Sequence, residues 1–328
     1  MEKSTIRKPT ITVFYNGKNI TADISKYLLS LTYTDYEKEQ SDELNIELKD
    51  NKKLFQGDWK PQKGDKISAK IGYNTNEKLD CGTFTIDEVE LRMSDNGDVV
   101  SIKALAASIN QQIRTKNSKS YKNKTLVEIA KEIAKKYGYS VVGSTGNVKI
   151  GYIAQIDESD LSFLSRIAKK YGYLFKLTDN LITFTPVEKT TDPKGIKDVV
   201  KKEISSLSLR DNGVRHYGKC AVQYLDKSGK YISYIASANN SSKEILKLDT
   251  KCKSKSEAIQ LANAGLKNGS KKIEGNIEFK DGQISMIAGV NINLKLDNAY
   301  DNKYHIKQST HNVSDGTYTT SVEVETCS

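Results

Sequence analysis

Gln155-Ile156-Asp157-Glu158-Ser159-Asp160-Leu161-Ser162-Phe163-Leu164-Ser165-Arg166-Ile167-Ala168-Lys169-Lys170-Tyr171-Gly172 reads as a helix with both of its ends written into it. Ser159 or Asp157 can cap the start, where a side-chain oxygen satisfies backbone amides that have no partner in the first turn. The surrounding carboxylates, Glu158 and Asp160 among them, suit the positive end of the helix dipole. Leu161, Leu164, Ile167, Ala168 and Tyr171 recur at the spacing of one helix face, which predicts burial. Gly172 supplies the left-handed residue that stops the helix.

The same design stands upstream. Thr125-Leu126-Val127-Glu128 has the form of a capping box, and Leu126, Ile129, Ala130, Ile133, Ala134 and Tyr137 make an apolar stripe ahead of Gly138. Lys135 and Lys136 are placed to face the negative end of that helix dipole. Burying such a stripe contributes on the order of 10 kcal/mol before chain entropy is subtracted. The heptapeptide Ile-Ala-Lys-Lys-Tyr-Gly-Tyr occurs at 133–139 and again at 167–173. Two copies are too few for a solenoid, and the β-like Val141–Ile153 stretch lies between them. Two paired helices, each followed by strands, are expected instead. Phe175–Leu177 and Leu181–Phe184 predict a hairpin around Asp179-Asn180.

Before this α/β portion the chain reads as β. Ile11–Tyr15 meets Lys18–Ile20 across Asn16-Gly17, a dipeptide that tolerates the positive φ of a tight hairpin. Leu44, Ile46 and Leu48 alternate with polar residues, so one strand face points inward. Ile67–Ile71, Phe84–Leu91 and Val99–Leu105 are further strand-like runs, broken at Gly72, Gly82 and Asp95-Asn96-Gly97. Asp87, Glu88 and Glu90 read as a strand's polar face. After the α/β portion, Pro186, Pro193 and the lysine-rich Lys189–Lys202 stretch look like a linker. Strand character returns at Gly218–Leu225, Tyr231–Ala236, Val290–Leu296, Tyr304–Ser309 and Tyr318–Val324. A second capping box, Ser254-Lys255-Ser256-Glu257, opens one helix among them, with Ala258, Leu261, Ala262 and Leu266 behind it. The fold class is therefore mixed α+β, with three domains whose boundaries can be discontinuous: 1–110 an antiparallel barrel or sandwich, 111–190 α/β, and 191–328 β with one helix.

Composition narrows the function classes. The 328 residues carry 51 Lys and Arg against 41 Asp and Glu, a formal charge of +10. A basic surface attracts nucleic acid, anionic lipid or acidic protein. The lysines are scattered, and the densest stretch (Arg114, Lys116, Lys119, Lys122, Lys124) has only Tyr121 as aromatic company, so a solvated basic loop is expected there. Cys81, Cys220, Cys252 and Cys327 lie far apart with no Cys-x-x-Cys, which predicts neither a zinc site nor a disulfide framework. No apolar signal core opens the chain and no run is long enough to span a membrane. No phosphate loop, dinucleotide fingerprint or catalytic motif is present, so no cofactor, metal or catalytic residue is assigned. His216, His305 and His311 read as strand-surface histidines. Asp157-Glu158-Ser159-Asp160 is the one cluster a glycosidase reading could use, since that chemistry needs two carboxyls roughly 5 to 10 Å apart. Its place at a helix start gives it a structural task instead.

The stretch from Gln155 through Glu158, Ser159, Asp160, Phe163, Leu164 and Ala168 to Tyr171 and Gly172 resembles the late control D family. These are hub proteins of contractile phage tails, similar to the N-terminal half of type VI secretion spike proteins. Thr83–Asp87 resembles the family's early strand and Lys124–Gly138 its first helix. Ala288-Gly289-Val290, Tyr304-His305-Ile306, His311 and Tyr318-Thr319-Thr320 resemble its closing strands. The resemblance implies two antiparallel tail-tube-like β-barrels joined by an α/β portion, and a homotrimeric ring adapting a six-fold tail tube to a trimeric central spike. Baseplate wedge and tape measure proteins are implied as further partners, a membrane is not, and nucleic acid is not expected as a specific ligand. It implies synthesis in the bacterial cytoplasm, assembly into a virion baseplate or an R-type bacteriocin, and release by lysis. The chain stops after its last strand, so spike, needle and lysin parts are expected from other chains. A tail-associated peptidoglycan hydrolase and a DNA-binding protein are the alternatives.

Overall fold

The computed structural model describes residues 7–37, 41–74, 77–106, 113, 115–143, 146–178, 181–186, 197–211, 217–238, 242–269 and 273–327. β1 (Pro9–Tyr15) and β2 (Lys18–Asn19) lead through a one-turn helix α1 (Thr21–Ile24) to β3 (Leu28–Tyr36), β4 (Glu43–Lys49), β5 (Lys66–Tyr73), β6 (Lys78–Arg92) and β7 (Val99–Leu105). β8 (Lys116–Lys124), α2 (Leu126–Tyr137), β9 (Ser140–Gly143), β10 (Ile150–Ser159), α3 (Asp160–Lys170), β11 (Tyr173–Thr178) and β12 (Leu181–Pro186) follow. β13 (Lys197–Val200), β14 (Ile204–Asp211), β15 (Lys219–Leu225), β16 (Tyr231–Ser237) and β17 (Ile245–Cys252) precede α4 (Lys255–Asn268). β18 (Ile273–Phe279), β19 (Asn291–Lys295), β20 (Asn302–Ser314) and β21 (Thr317–Thr326) complete the chain.

Two compact units emerge, both discontinuous in sequence. One comprises Met1–Ser108, Ile196–Ser208 and Gly275–Val324; the other comprises Ile109–Gly195, Leu209–Glu274 and Glu325–Ser328. The closing third of the chain contributes to both units.

The first unit is built on a 13-stranded sheet whose main path runs β14-β18-β21-β20-β3-β4-β7-β6-β5-β1-β2, with β19 on β20 and β13 on β19. Its β1–β2 turn is the expected hairpin: Tyr15 pairs with Lys18, and Asn16 and Gly17 hold φ of 47° and 81°. β4 buries Leu44, Ile46 and Leu48 and exposes or half-exposes the residues between, as its alternation predicts. Those side chains join Val13, Leu31, Ile67, Ile71, Phe84, Ile86 and Ile102 in one core cluster. Among the described residues, no closed ring of strand pairings is formed, and the two sets of strands that the family resemblance implies as barrels share one ladder. The link between them is β20. Its first residues pair with β19, Asn302 with Leu294 and His305 with Asn291, while its later residues pair with β3, Gln308 with Tyr36 and Ser314 with Ser30. One long strand thus carries the ladder from the closing segments to the opening ones.

The histidines of this unit are not on the surface. His311 is fully buried and His305 nearly so. His305 Nδ1 lies 2.7 Å from Asn291 Oδ1, and its Nε2 lies 2.7 Å from Glu37 Oε1. The Met286 carbonyl can only accept, so His311 Nε2 carries the proton and donates to it at 3.0 Å. Nδ1 then accepts from the Tyr318 hydroxyl at 2.7 Å. Strand alternation places a histidine on a face but does not say that the face is covered. The expectation for His216 lies outside the described residues, as do the Asp179-Asn180 turn, Arg114 and residues 187–196 of the expected linker.

The second unit holds three small sheets and the longer helices. β8 pairs antiparallel with β10; β11 and β12 form the expected hairpin, with β9 parallel to β12; and β15 lies between β16 and β17. β8 corrects the basic loop expected over Lys116–Lys124. Tyr121 is buried there, stacked on Phe163, and that anchors the stretch as a strand. Three of its lysines are occupied: Lys116 pairs with Asp157, and Lys119 and Lys124 both reach Glu132. Cys220 and Cys252 are buried in this unit, and Cys81 in the first. No helix among the described residues is long and apolar enough to cross a membrane.

Candidate functional site

β10 passes into α3 with no linker, and the signature residues occupy that junction. A bulge interrupts the β8–β10 ladder between Gln155 and Glu158, and Asp157 sits at φ 45°. This turn resolves the capping alternatives: Ser159 is the cap, accepting from the Ser162 amide at 3.1 Å, while Asp157 points out to Lys116.

Asp160 becomes the centre of a buried knot. Its carboxylate is fully covered and accepts four side-chain donors. Gln155 Nε2 at 2.8 Å and Asn117 Nδ2 at 3.2 Å reach Oδ1; the Tyr137 hydroxyl at 2.7 Å and Lys136 Nζ at 2.9 Å reach Oδ2. Burial alone pushes this carboxyl up, but the bonds from Tyr137, Lys136, Gln155 and Asn117 outweigh it and hold the group below its ordinary value. One carboxylate therefore ties β8, α2, β10 and α3 together. Lys136, which the sequence assigns to the α2 dipole, reaches across to it instead.

Glu158 is held just as firmly from outside. Arg166 grips it through Nε at 3.0 Å and Nη2 at 2.8 Å, and the same Nη2 donates to the Ala154 carbonyl at 2.9 Å. Phe163 stacks on Tyr121 with ring centroids 5.4 Å apart. Leu164, Ile167 and Ala168 are buried as their spacing predicts. Leu161 is only half-buried; Phe163 and Asp160 cover more of the inward face than the apolar stripe suggests.

Tyr171 points the other way along α3, toward α4. Its hydroxyl donates to Glu257 Oε1 at 2.8 Å, while the Gly151 amide donates to Glu257 Oε2 at 3.2 Å. Ser254 does cap α4, accepting from the Glu257 amide at 3.3 Å, but the Glu257 carboxylate is diverted from the reciprocal half of the expected capping box. Nothing in the local sequence around 254–257 signals that diversion. Gly172 holds φ 79°, and a Cβ there would stand 3.3 Å from Ala264.

Chemically, this arrangement occupies its carboxylates with hydrogen bonds and charge pairs from neighbouring elements. Asp160 has no face left for a reacting atom, and Glu158 is charge-paired in a two-pronged grip. Among the described residues, no group of three or more His, Cys, Asp or Glu side chains could hold a metal ion. Gln155, Glu158, Ser159 and Asp160 and their partners make one hydrogen-bonded joint where β10 meets α3.

A family model described as phage tail baseplate hub (GPD) matches residues 85–196, a span that contains the whole joint. The probable baseplate hub protein of Escherichia phage 186 is 28% identical over 219 residues, 66% of this chain and 54% of that protein. Its counterpart in Escherichia phage P2 is 30% identical over 212 residues, 64% of this chain and 52% of that protein. The chain thus spans about half the length of the curated relatives it matches. In fold alone it is similar to the 43 kDa tail protein of prophage MuSo2 from Shewanella oneidensis, with a TM-score of 0.67, 14% identity and coverage of 96% of this chain and 98% of that one. The tail protein from Neisseria meningitidis MC58 also gives 0.67, at 10% identity, covering 97% and 96%. With its signature inside the matched span and hub proteins on both curated alignments, the chain is similar over that span to the phage tail baseplate hub (GPD) family.

Proposed function

We propose that the chain is a baseplate hub of a contractile phage-type tail, assembling as a three-subunit ring that adapts a six-fold tail tube to a three-fold central spike. The alignments with two baseplate hub proteins carry this reading. The fold supports it. β1–β7 on one side of the β3–β20 pairing, and β13, β14 and β18–β21 on the other, make two strand-rich modules per subunit. Three subunits would present six such modules to the tube. On this reading each module is a tube-like barrel completed in the assembly, joined by the α/β portion, with wedge and tape measure proteins as neighbours and release by lysis.

The joint at Asp160 suits a part that must transmit force without deforming. Its carboxylate is fixed by donors from three elements besides its own, so relative sliding of β8, α2 and α3 would break several charge-assisted hydrogen bonds at once.

Light scattering and electron microscopy of the purified chain test the proposal. A three-fold ring with a central channel is expected, and a stable monomer at high concentration would overturn it. The hydrolase alternative draws no support from the Glu158–Asp160 cluster, and a zymogram of the unaltered chain is expected to be blank. Duplex-DNA retardation at low salt is likewise expected to be absent, since Lys116, Lys119 and Lys124 already face carboxylates.

A further inference from the structure

The three-stranded sheet of the second unit leaves one edge open. β16, Tyr231-Ile232-Ser233-Tyr234-Ile235-Ala236-Ser237, pairs with β15 through all seven residues, Tyr231 with Leu225 and Ser237 with Lys219. Among the described residues no strand lies on its other side. The hydrogen-bond phase is fixed at both ends: the Asp226 amide donates to the Lys230 carbonyl, and the Ala238 amide to the Gly218 carbonyl, each at 2.8 Å. Antiparallel pairing alternates, so Ile232, Tyr234 and Ala236 bond inward to β15. The amides and carbonyls of Tyr231, Ser233, Ile235 and Ser237 therefore point away from the sheet.

Such edges are usually blunted by a lysine, a proline or a bulge. β16 has none of these, and it is rich in β-branched and aromatic residues. α4 covers one face of the sheet, where Cys220, Val222 and Ala236 are buried. The opposite face carries Tyr231, Ile235 and Ile245, which are 52%, 49% and 42% exposed. Lys219, Lys247 and Lys251 stand on that same face by register, Lys219 level with Ile245 and Lys247 level with Ala221 and Ile235. Lys251 Nζ lies 5.1 Å from the Tyr231 ring centroid. Residues 217–252 hold six lysines against three carboxylates. Two such faces would repel, so a second copy of this sheet is the wrong occupant. An acidic one fits.

We propose that β16 is a docking edge that accepts an extended segment of a partner protein, apolar on alternate residues and acidic between them, as a fourth strand. Main-chain bonds to the outward groups of Tyr231, Ser233, Ile235 and Ser237 would hold it, and the lysines would select its charge. This surface is separate from the Asp160 joint, and its test needs no assembled tail, so its failure is distinguishable from failure of the hub reading.

Hydrogen exchange read by mass spectrometry on the purified full chain tests it, with acetyl-Val-Glu-Val-Glu-Val-Glu-Val-amide as the probe and its Val-Lys counterpart as the control. The acidic peptide at millimolar concentration is expected to slow exchange across 231–237 by about tenfold or more, and the basic peptide to leave it unchanged. Ser233→Pro removes one outward amide that bonds to nothing among the described residues. It is expected to abolish the protection while the thermal midpoint stays put. Should that variant unfold, Ile235→Glu keeps the edge intact and is expected to weaken the acidic peptide by charge alone. Absence of protection, equal protection by both peptides, or protection confined to another segment would overturn the proposal.

Discussion

Asp160 and His311 are both buried titratable side chains, and they make different demands on the protein. Asp160→Ala would leave Gln155, Asn117, Tyr137 and Lys136 aimed at an empty space, two of them from α2. A cost of about 3 to 5 kcal/mol is expected, the range for removing one partner of a buried charge pair, and urea unfolding would measure it. His311 acts through pH. Burial pushes its imidazole from 6.5 down to about 4, with the Met286 carbonyl and Asp35 pulling weakly the other way. The folded value lies below the unfolded one, so the native state is fully favoured above pH 6.5 and loses that advantage as pH falls toward 4. The loss approaches about 3 kcal/mol at the acid end. His311→Gln, which can still donate to Met286, is expected to flatten the unfolding free energy between pH 7 and 4.5. An unchanged slope would mean that another group titrates there. Asp160, whose value is lowered, withdraws its own contribution only at more acid pH, below the ordinary carboxyl value of 3.8.

At the scale of elements, the three longer helices show what local sequence can and cannot tell. Thr125 and Glu128 form a complete capping box, with the Glu128 amide donating to Thr125 Oγ1 at 3.2 Å and the Thr125 amide donating to the Glu128 carboxylate at 2.7 Å. Thr125→Ala should cost about 1 kcal/mol, a helix-start effect and no more. Ser254 and Glu257 have the same spacing, yet the Glu257 carboxylate is buried and holds Tyr171 and the Gly151 amide. Glu257→Ala is expected to cost about 2 to 4 kcal/mol, and Tyr171→Phe to recover little of it, because the Gly151 amide stays stranded. A double-mutant cycle by urea unfolding would read the coupling. Helix positions, stops and most of the buried face were legible because they follow from a period of 3.6 and from termini with unmet hydrogen bonds. The polar knot was not. Asn117, Lys136 and Tyr137 come from β8 and α2, and only tertiary packing brings them to Asp160. The basic run at 116–124 misled for a related reason: a single buried Tyr121 outweighs three exposed lysines and a half-buried fourth when a stacking partner such as Phe163 waits on another element.

For the whole molecule the decisive contact is the pairing of β20 with β3, seven register partners from Gln308–Tyr36 to Ser314–Ser30. Period-two alternation marked part of β20, over Tyr304–Ser309, left β3 unmarked, and carries no information about which strand pairs with which, so the joining of the two in one ladder was not legible. The first core extends across that seam. Val313 and Tyr318 belong to the cluster formed by Leu31, Tyr33 and Phe84, and Tyr33 lies 6.0 Å from both the Phe84 and His311 rings. A fragment of residues 1–108 would keep β1–β7 and most of that cluster, yet it would expose β3 as an open edge beside Leu31 and Tyr33. Local pattern would let it fold alone; the loss of seven ladder positions and two core side chains argues that it cannot stay monomeric. The fragment is expected to self-associate or to lack a cooperative thermal transition, as scattering and circular dichroism would show, whereas adding a separate 275–328 chain should restore both solubility and cooperativity by resupplying β20 and β21. A soluble, cooperatively melting 1–108 monomer would mean instead that the opening strands form a self-sufficient module, and that the β3–β20 pairing joins two finished halves rather than completing one.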